Sequence, residues 1–344
     1  MDRILVLQLK RIGDLVLTAP LTAALRGAFP DAHIGLVTRG AANAVAPLLP
    51  GIDQCLNQRP RKPNLGLWRR LASGRWDVVL DVTGNDRSAL MSFVSRARTK
   101  VTYERHCRGS KLLNRLYRVQ SRASVRDLHT VDYHLALLES LGLENPAEEP
   151  ALDLAVPEGT DADRLREKLK STIDGRPLAV VHPGTMAPDK YWIAERWGEL
   201  IDHLKRDLGY AVALSFGPDT FEQEHVREIL AASREGVDYN ERMSLGELVV
   251  MLNMSSLVVS VDTAAMHMAG ALKIPQVALF GPTNPYHWRP RHPGALVVNA
   301  GDSGAATEFS PKWEGRQMAE LDTAAVIAAL GGLHKDPRAE VRAG

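Results

Sequence analysis

Four short segments combine a glycine turn or helix start with groups that could act on one ligand. The first is Lys10-Arg11-Ile12-Gly13-Asp14, in which a carboxylate follows a glycine where a helix is predicted to begin. Such a carboxylate can serve as a general base, or it can cap the helix. The segment lacks the GxGxxG spacing of a dinucleotide-binding turn, which argues against an NAD-dependent dehydrogenase.

The second segment is His182-Pro183-Gly184-Thr185, with Lys190 five residues further on. Gly184 permits close approach of the backbone to a ligand. Thr185 offers a hydroxyl group, and the ammonium of Lys190 is a point charge suited to phosphate. An isolated lysine is usually solvated, so the position of Lys190 beside a glycine turn is what favours phosphate binding.

The third segment, DTAAMH at residues 262–267, predicts a strand that leads directly into a helix. The free backbone N–H groups and the positive end of such a helix suit a diphosphate. Phosphate would repel Asp262, so we expect this carboxylate to cap the helix or to meet a sugar hydroxyl. His267 lies one helical turn after Thr263, and an isolated histidine of this kind is more often a packed residue than a ligand.

The fourth segment, Gly281-Pro282-Thr283, is another glycine turn at a strand end, which a simple loop would also explain. Metal chemistry has little support, because the Asp-x-Asp pair of Asp161 and Asp163 lies in an acidic stretch where it would begin a helix. The sequence contains neither a GxSxG nucleophile elbow nor a Walker A motif. Hydrolase and P-loop functions therefore lack the turns that they require.

The elements that must position these segments alternate between strands and helices. The apolar run from Arg3 to Leu7 predicts a strand, a helix from about Leu15 to Phe29 follows it, and a second alternating set starts with a strand at Leu178–His182. This alternation is typical of parallel sheets with helices on both faces. The predicted fold class is α/β with two Rossmann-like, doubly wound domains, whose ligands bind beyond the carboxyl ends of the strands.

The chain of 344 residues is long enough for two domains of this kind. Prolines and acidic residues concentrate in residues 145–165, where we place the linker. The predicted domains are residues 1–160 and 161–333. The polar tail, residues 334–344, is expected to be mobile.

Composition predicts a cytoplasmic protein with an uneven distribution of charge along the chain. Two cysteines are too few for a disulfide framework, and no apolar run is long enough for a membrane span. Residues 59–126 contain 17 Lys and Arg against 4 Asp and Glu. A solvated surface explains any single charge, but an excess of this size favours an anionic partner. Nucleic acid and an anionic glycolipid at a membrane surface are the two candidates.

The order and spacing of these motifs resemble glycosyltransferase family 9, the lipopolysaccharide heptosyltransferases. The resemblance covers about residues 1–330. It depends on ILV at 4–6 with GDLVLTAP at 13–20, Asp81 with RSAL at 87–90, HPG at 182–184 with KYW at 190–192, MSL at 243–245, and DTAAMH at 262–267 with FGPT at 280–283.

The resemblance implies a GT-B fold in which two domains face a cleft. The C-terminal domain would bind ADP-heptose, and the N-terminal domain would bind a Kdo or heptose acceptor on the lipopolysaccharide core. It also implies an inverting, metal-independent reaction that uses no cofactor. Peripheral contact with the inner membrane surface would follow from such an acceptor, and nucleic acid is then not expected as a partner.

By the same resemblance Asp14 is the catalytic base, and Lys190 acts with it. The donor-binding residues are expected to be Thr185, Lys190, Glu222, Met243, Asp262, Thr263, Ala264 and His267. Among them, Thr185 and Lys190 would contact the diphosphate, Glu222 the ribose hydroxyls, with Glu224 as the alternative, and Met243 the region of the base. We assign acceptor contacts to Lys10, Arg11, Gly13 and Arg87.

The sequence departs from the family at Ala264 and Ala265, where the family usually has glycine after the Asp-Thr pair. A β-carbon there would crowd the donor. The alternatives are a glycosyltransferase with another nucleotide-sugar, a nucleotide-sugar 2-epimerase of the same two-domain shape, and a non-catalytic nucleotide-binding protein with the GT-B fold. An epimerase needs no separate acceptor, so it would leave the basic excess unexplained.

Overall fold

The computed structural model describes residues 1–143 and 152–334. The chain divides into two units, Met1–Ala155 and Val156–Gly344, and each has its own parallel sheet. Residues 144–151 of the predicted linker region, and residues 335–344 of the predicted tail, lie outside the described residues. Within the described part of the chain, no helix has both the length and the apolar character needed to cross a membrane.

Unit 1 contains a six-stranded parallel sheet with the order β3-β2-β1-β4-β5-β6. Its strands are β1 (Arg3–Leu7), β2 (His33–Arg39), β3 (Gln54–Gln58), β4 (Val78–Asp81), β5 (Thr99–Tyr103) and β6 (Val119–Ser121). Its α-helices are α1 (Ile12–Val16), α2 (Ala19–Ala28), α3 (Leu65–Ser73), α4 (Asp86–Val94), α5 (Glu104–Cys107), α6 (Lys111–Leu116) and α7 (Thr130–Glu139). Two 3₁₀ turns, Gly40–Ala44 and Ala46–Leu48, follow β2.

Unit 2 contains a five-stranded parallel sheet with the order β11-β10-β9-β7-β8. Its strands are β7 (Leu178–His182), β8 (Ala211–Leu214), β9 (Leu257–Val261), β10 (Gln276–Phe280) and β11 (Ala295–Asn299). Its α-helices are α8 (Thr160–Ile173), α9 (Ala194–Arg206), α10 (Thr220–Ala232), α11 (Leu245–Met254), α12 (Ala264–Ala271), α13 (Pro285–Trp288) and α14 (Thr323–His334). Short 3₁₀ turns occupy Pro188–Lys190 and Met318–Glu320.

The central strands are buried on both faces, which is why they read as unbroken apolar runs rather than as alternating patterns. Residues 4–7 of β1 and residues 179–181 of β7 have no exposed surface. In unit 1, α2 packs with α7, whereas α3 and α6 each pack against α4. The order of helices and strands places these two groups on opposite faces of the sheet, because parallel crossovers are right-handed.

Three sequence expectations about elements need correction. The single helix expected from about Leu15 to Phe29 is two helices, α1 and α2, because Pro20 has no N–H to continue the ladder across the junction. The predicted linker overlaps α8, which begins at Thr160. Strands β3, β5 and β6 of unit 1 were not expected from sequence, because they mix polar and apolar residues.

Candidate functional site

The strand order reverses between β1 and β4 in unit 1, and between β7 and β9 in unit 2. Such reversal points open a crevice at the carboxyl ends of the strands, where α/β sheets bind ligands. The predicted segments after β1 and β4 lie at the first reversal point. Those after β7 and β9 lie at the second.

Asp14 lies at the reversal point of unit 1, in the first turn of α1. Arg11, and not Asp14, is at the N-cap position of α1. The backbone N–H groups of Arg11 and Asp14 nevertheless lie close enough to the Asp14 carboxylate to oppose the rise of its pKa. The carboxylate is largely buried, and its Oδ1 lies 3.9 Å from Nζ of Lys10. Burial raises the pKa of Asp14, while the nearby Lys10 ammonium opposes that rise. A partly desolvated carboxylate with a raised pKa has the character of a general base.

Two polar side chains fix the backbone that carries Asp14. The side-chain amide of Gln8 donates to Oγ1 of Thr18 over 3.0 Å, and this hydroxyl donates to the Asp14 carbonyl over 2.8 Å. Gln8 and Thr18 are fully buried. The position of Asp14 is therefore held from the strand side and from the helix side together.

Asp81, at the end of β4, has a structural environment. Its Oδ1 accepts from the backbone N–H groups of Thr83 and Gly84 at 3.0 and 2.9 Å, and its Oδ2 accepts from the Tyr117 hydroxyl at 2.5 Å. It is fully buried, and burial raises its pKa. These contacts hold the turn after β4, so Asp81 has no free face for a ligand.

The predicted acceptor residues lie along the same edge of unit 1. Lys10, Arg11 and Gly13 immediately precede Asp14, and Arg87 extends from the first turn of α4 toward the end of β3, with Nη1 3.4 Å from Oε1 of Gln58. Arg105, which follows β5, was not predicted as part of this edge. Burial lowers the pKa of Lys10, and the positive charge of Arg105 lowers it further. The polar sequence of β5 concealed the strand that would have located Arg105.

At the reversal point of unit 2, three predicted residues come together. Nζ of Lys190 donates to Oδ2 of Asp262 over 2.5 Å, and Nε2 of His267 lies 3.9 Å from Oδ1 of the same carboxylate. The side chains of Lys190 and Asp262 are only 18% and 6% exposed. Burial lowers the pKa of His267 to about 4, although Asp262 acts in the opposite direction. The histidine is therefore neutral near pH 7.

Helix α12 begins beside this ion pair. The expectation that Asp262 caps the helix is wrong, because Thr263 is at the N-cap position and Asp262 pairs with Lys190. The Thr263 side chain makes no capping hydrogen bond. Backbone N–H groups in the first turn of α12 thus have no side-chain cap, and Ala264 opens that turn.

Glu222 lies between the glycine turns that follow β7 and β8. Its Oε2 accepts from the Gly217 N–H over 2.6 Å. A β-carbon at Gly184 would lie 2.7 Å from Oε1 of Glu222, so the missing side chain leaves room for the carboxylate. Burial raises the pKa of Glu222. The alternative residue, Glu224, is exposed and forms an ion pair with Arg227.

The remaining predicted donor residues surround this edge less closely. Thr185 is buried in the turn after β7, and its Oγ1 accepts from the Ala187 N–H over 3.3 Å. Met243 is half-buried in the segment before α11. Asp161 and Asp163, the Asp-x-Asp pair, form ion pairs with Arg164 and Arg166 on α8.

Two doubly wound α/β units, each with polar groups at its reversal point, are the architecture of the GT-B class. The sequence model of Glycosyltransferase family 9 (heptosyltransferase) matches residues 65–315. The chain belongs to this family and is a glycosyltransferase.

Relatives agree with this assignment. The chain is 27% identical over 296 residues to lipopolysaccharide heptosyltransferase 1 of Pseudomonas aeruginosa, covering 82% of this chain and 79% of that protein. A family 9 glycosyltransferase from Veillonella parvula has the same fold, with a TM-score of 0.83, 24% identity and coverage of 97% and 98%. An Escherichia coli heptosyltransferase solved with ADP-2-deoxy-2-fluoro heptose gives a TM-score of 0.73, 21% identity and coverage of 96% and 99%.

Proposed function

We propose that the protein transfers heptose from ADP-heptose to a heptose or Kdo residue of a lipopolysaccharide core. The observation that carries the proposal is the buried ion pair of Lys190 and Asp262 at the uncapped start of α12. It joins a cation to free backbone donors where a diphosphate would bind. The solved relative with an ADP-heptose analogue supports the same donor class.

In this proposal the donor diphosphate binds Lys190, the Thr185 hydroxyl and the first turn of α12. Asp262 holds the ammonium in place before the donor arrives, so little reorganisation is needed on binding. The Glu222 carboxylate, with room left by Gly184, accepts hydrogen bonds from the ribose hydroxyls. Further donor contacts are assigned to Met243, near the base, and to Thr263, Ala264 and His267.

The reaction needs a base for the proton of the sugar acceptor and groups that stabilise the negative charge on the departing diphosphate. The acceptor oxygen attacks the anomeric carbon as the bond to the diphosphate breaks, and ADP departs with the electron pair. Asp14 takes the proton of the acceptor hydroxyl, a role suited to its raised pKa. Lys190 and backbone N–H groups stabilise the charge that develops on the diphosphate. Acceptor contacts are assigned to Lys10, Arg11, Gly13 and Arg87, and no metal or other cofactor takes part.

Calorimetric titration of the protein with ADP, UDP, GDP and CMP, in buffer containing EDTA, tests the donor. We expect ADP to bind at least about 10-fold more tightly than the others, because a site that hydrogen-bonds one base leaves polar groups unpaired with another. Equal or tighter binding of UDP would overturn the choice of donor.

A transfer assay in EDTA with ADP-heptose and a core acceptor tests the chemistry. Transfer that requires added magnesium would contradict the metal-free mechanism. Conversion of the donor without acceptor would favour a 2-epimerase, and binding without turnover would favour a non-catalytic protein.

A further inference from the structure

Helices α3, α4 and α6 form one outer layer on a face of the unit 1 sheet. Leu67 and Leu71 of α3 pack in one core cluster with Met91 of α4. On the other side of α4, Ala89 packs in a second cluster with Leu113 and Leu116 of α6. The inward faces of the three helices thus pack into the core of unit 1.

The outward faces of this layer carry large apolar side chains. Leu65 and Leu112 are each 77% exposed, Phe93 is 67% exposed and Leu90 is 51% exposed. Leu90 and Phe93 are three residues apart on α4, so they share one face of that helix. Four of the eight exposed large apolar residues among those described belong to this layer. Such a concentration marks an interaction surface more than scattered exposure does.

The same layer is strongly basic. The three helices contain five basic residues, Arg69, Arg70, Arg87, Lys111 and Arg115, and one acidic residue, Asp86. All five basic side chains are exposed. Within residues 1–143 and 152–334, none of the five has a carboxylate at ion-pair distance. The positive charge is therefore available to an external anion.

We propose that the outer layer of α3, α4 and α6 docks on the surface of an anionic lipid bilayer. Leu90 and Phe93 would enter the boundary between headgroups and acyl chains, and the arginines and lysines would contact lipid phosphates. Exposed apolar residues flanked by basic ones are the pattern of interfacial membrane binding. A nucleic acid backbone would use the charges but would leave the four apolar side chains in water.

The layer is continuous with the edge that carries Asp14. Helices α3 and α4 follow β3 and β4, so their first turns lie at the carboxyl edge of the sheet, as does α1 after β1. Docking would bring this edge to the bilayer surface, where a lipid-anchored acceptor is presented. The surface itself depends neither on the donor nor on the acceptor sugar.

Flotation with lipid vesicles tests the proposal, because it needs neither donor nor acceptor. The full chain is mixed with vesicles of phosphatidylcholine alone or with 30 mol% phosphatidylglycerol, each at about 0.1 M and 0.5 M NaCl. We expect binding to the anionic vesicles that weakens at the higher salt concentration. Absence of binding to anionic vesicles, or equal binding to both compositions, would overturn the proposal.

Two variants separate the apolar and the basic contributions. Leu90→Ser/Phe93→Ser and Arg69→Glu/Arg115→Glu should each reduce partitioning by at least about 10-fold. The matched control is Arg164→Glu/Arg227→Glu, which reverses two exposed arginines of unit 2 and should change partitioning less than about twofold. ADP affinity and melting temperature should stay at the wild-type values in all three variants, since every substituted side chain lies on the surface.

Other occupants of the surface give different results. Equal losses in the unit 2 control would mean a general charge effect and would contradict a specific face. A wild-type dimer that Leu90→Ser/Phe93→Ser converts to a monomer, without vesicle binding, would assign the face to a second copy of the chain. Binding of single-stranded oligonucleotides that survives loss of Leu90 and Phe93, again without vesicle binding, would assign the charges to nucleic acid.

Discussion

At the scale of single residues, the burial of Asp14 supports its proposed role as the base. It is in the first turn of α1, it is largely buried, and the nearest cation, Lys10, is 3.9 Å away. Burial raises its pKa, whereas Lys10, Arg11 and nearby backbone N–H groups act in the opposite direction. The type and spacing of Gly13 and Asp14 predicted its location after β1, but not the burial that raises its pKa.

Asp14→Asn tests this role. Asparagine keeps the shape but cannot accept a proton, so kcat should fall by about 10²-fold or more. ADP affinity and melting temperature should hold, because Asp14 is not at the N-cap position and the asparagine side-chain oxygen can still accept from the neighbouring backbone N–H groups. The matched control is Asp86→Asn, an exposed residue in the first turn of α4, which should keep wild-type kcat. An Asp14→Asn enzyme with more than about a tenth of wild-type kcat would require another base.

Lys190 and Asp262 are 72 residues apart in sequence and 2.5 Å apart in the structure. Both residues were predicted from sequence, Lys190 as a phosphate ligand and Asp262 as a helix cap or a partner of a sugar hydroxyl. Their pairing could not be predicted, because it depends on how β7 and β9 lie side by side. It gives Lys190 two possible roles, which are neutralisation of a buried carboxylate and stabilisation of the diphosphate.

Lys190→Met and the double variant Lys190→Met/Asp262→Asn separate these roles. The single variant leaves Asp262 buried without its cation, which should cost roughly 3 kcal/mol of stability. It should also lower kcat by about 10²-fold or more, since a donor to the developing charge is lost. The double variant should recover the melting temperature but not kcat. Recovery of kcat as well would show that Lys190 serves only to neutralise Asp262.

At the scale of elements, the buried central strands were the easiest to predict. The bounds of β7 are those expected from sequence, because a strand covered on both faces is almost entirely apolar. Strands β3 and β6 lie at the edges of their sheet and contain glutamine, asparagine and serine. Their pattern does not distinguish a strand from a loop without the neighbouring strand.

The glycine turns after β7 and β8 give a prediction at this scale. An alanine at Gly184 or Gly217 would place its β-carbon 2.7 or 2.6 Å from a Glu222 carboxylate oxygen, so either one must displace that carboxylate. If Glu222 binds the ribose, Gly184→Ala and Gly217→Ala should each weaken ADP binding by about 10-fold, roughly the value of one charged hydrogen bond.

Two controls accompany these glycine variants in the same calorimetric titration. Gly66→Ala, in α3, has no atom within 4 Å of the new β-carbon and should leave ADP affinity unchanged. Glu222→Gln should reproduce the loss, whereas Glu224→Gln, at the surface, should not. Wild-type affinity in both alanine variants would remove Glu222 from the proposed donor site.

At the scale of the whole molecule, the basic excess of residues 59–126 does not form a single stripe. Arg105 lies near Lys10 at the carboxyl edge of the unit 1 sheet. Lys100, at the opposite end of β5, is half-buried, and its ammonium donates to the Ala97 carbonyl over 2.5 Å. Others lie on the outer helical layer. The sequence predicted the excess, but its division between the edge that carries Asp14 and a helical face follows only from the order of strands.

Buried histidines in both units make the stability of the molecule dependent on pH. Burial lowers the pKa of His134 in unit 1 to about 3, and the pKa of both His182 and His267 in unit 2 to about 4. The unfolded chain takes up these protons near the ordinary value of about 6.5. The stability is therefore complete above pH 6.5 and is lost as the pH falls toward 4.

His134→Gln isolates one of these contributions. Asp14, Asp81 and Glu222 have raised pKa values, so they act in the opposite direction at low pH, and the wild-type curve alone mixes both effects. Each neutral buried histidine should cost on the order of 1 to 2 kcal/mol at pH 5. Calorimetric melts should therefore show a smaller fall in melting temperature from pH 7 to pH 5 for the variant than for the wild-type protein. Between pH 7 and pH 8 the two proteins should show the same change in melting temperature, because His134 is then neutral in both the folded and the unfolded chain. Parallel curves over the whole range would show that His134 is protonated in the folded protein, in contradiction to its burial against the Leu17 carbonyl.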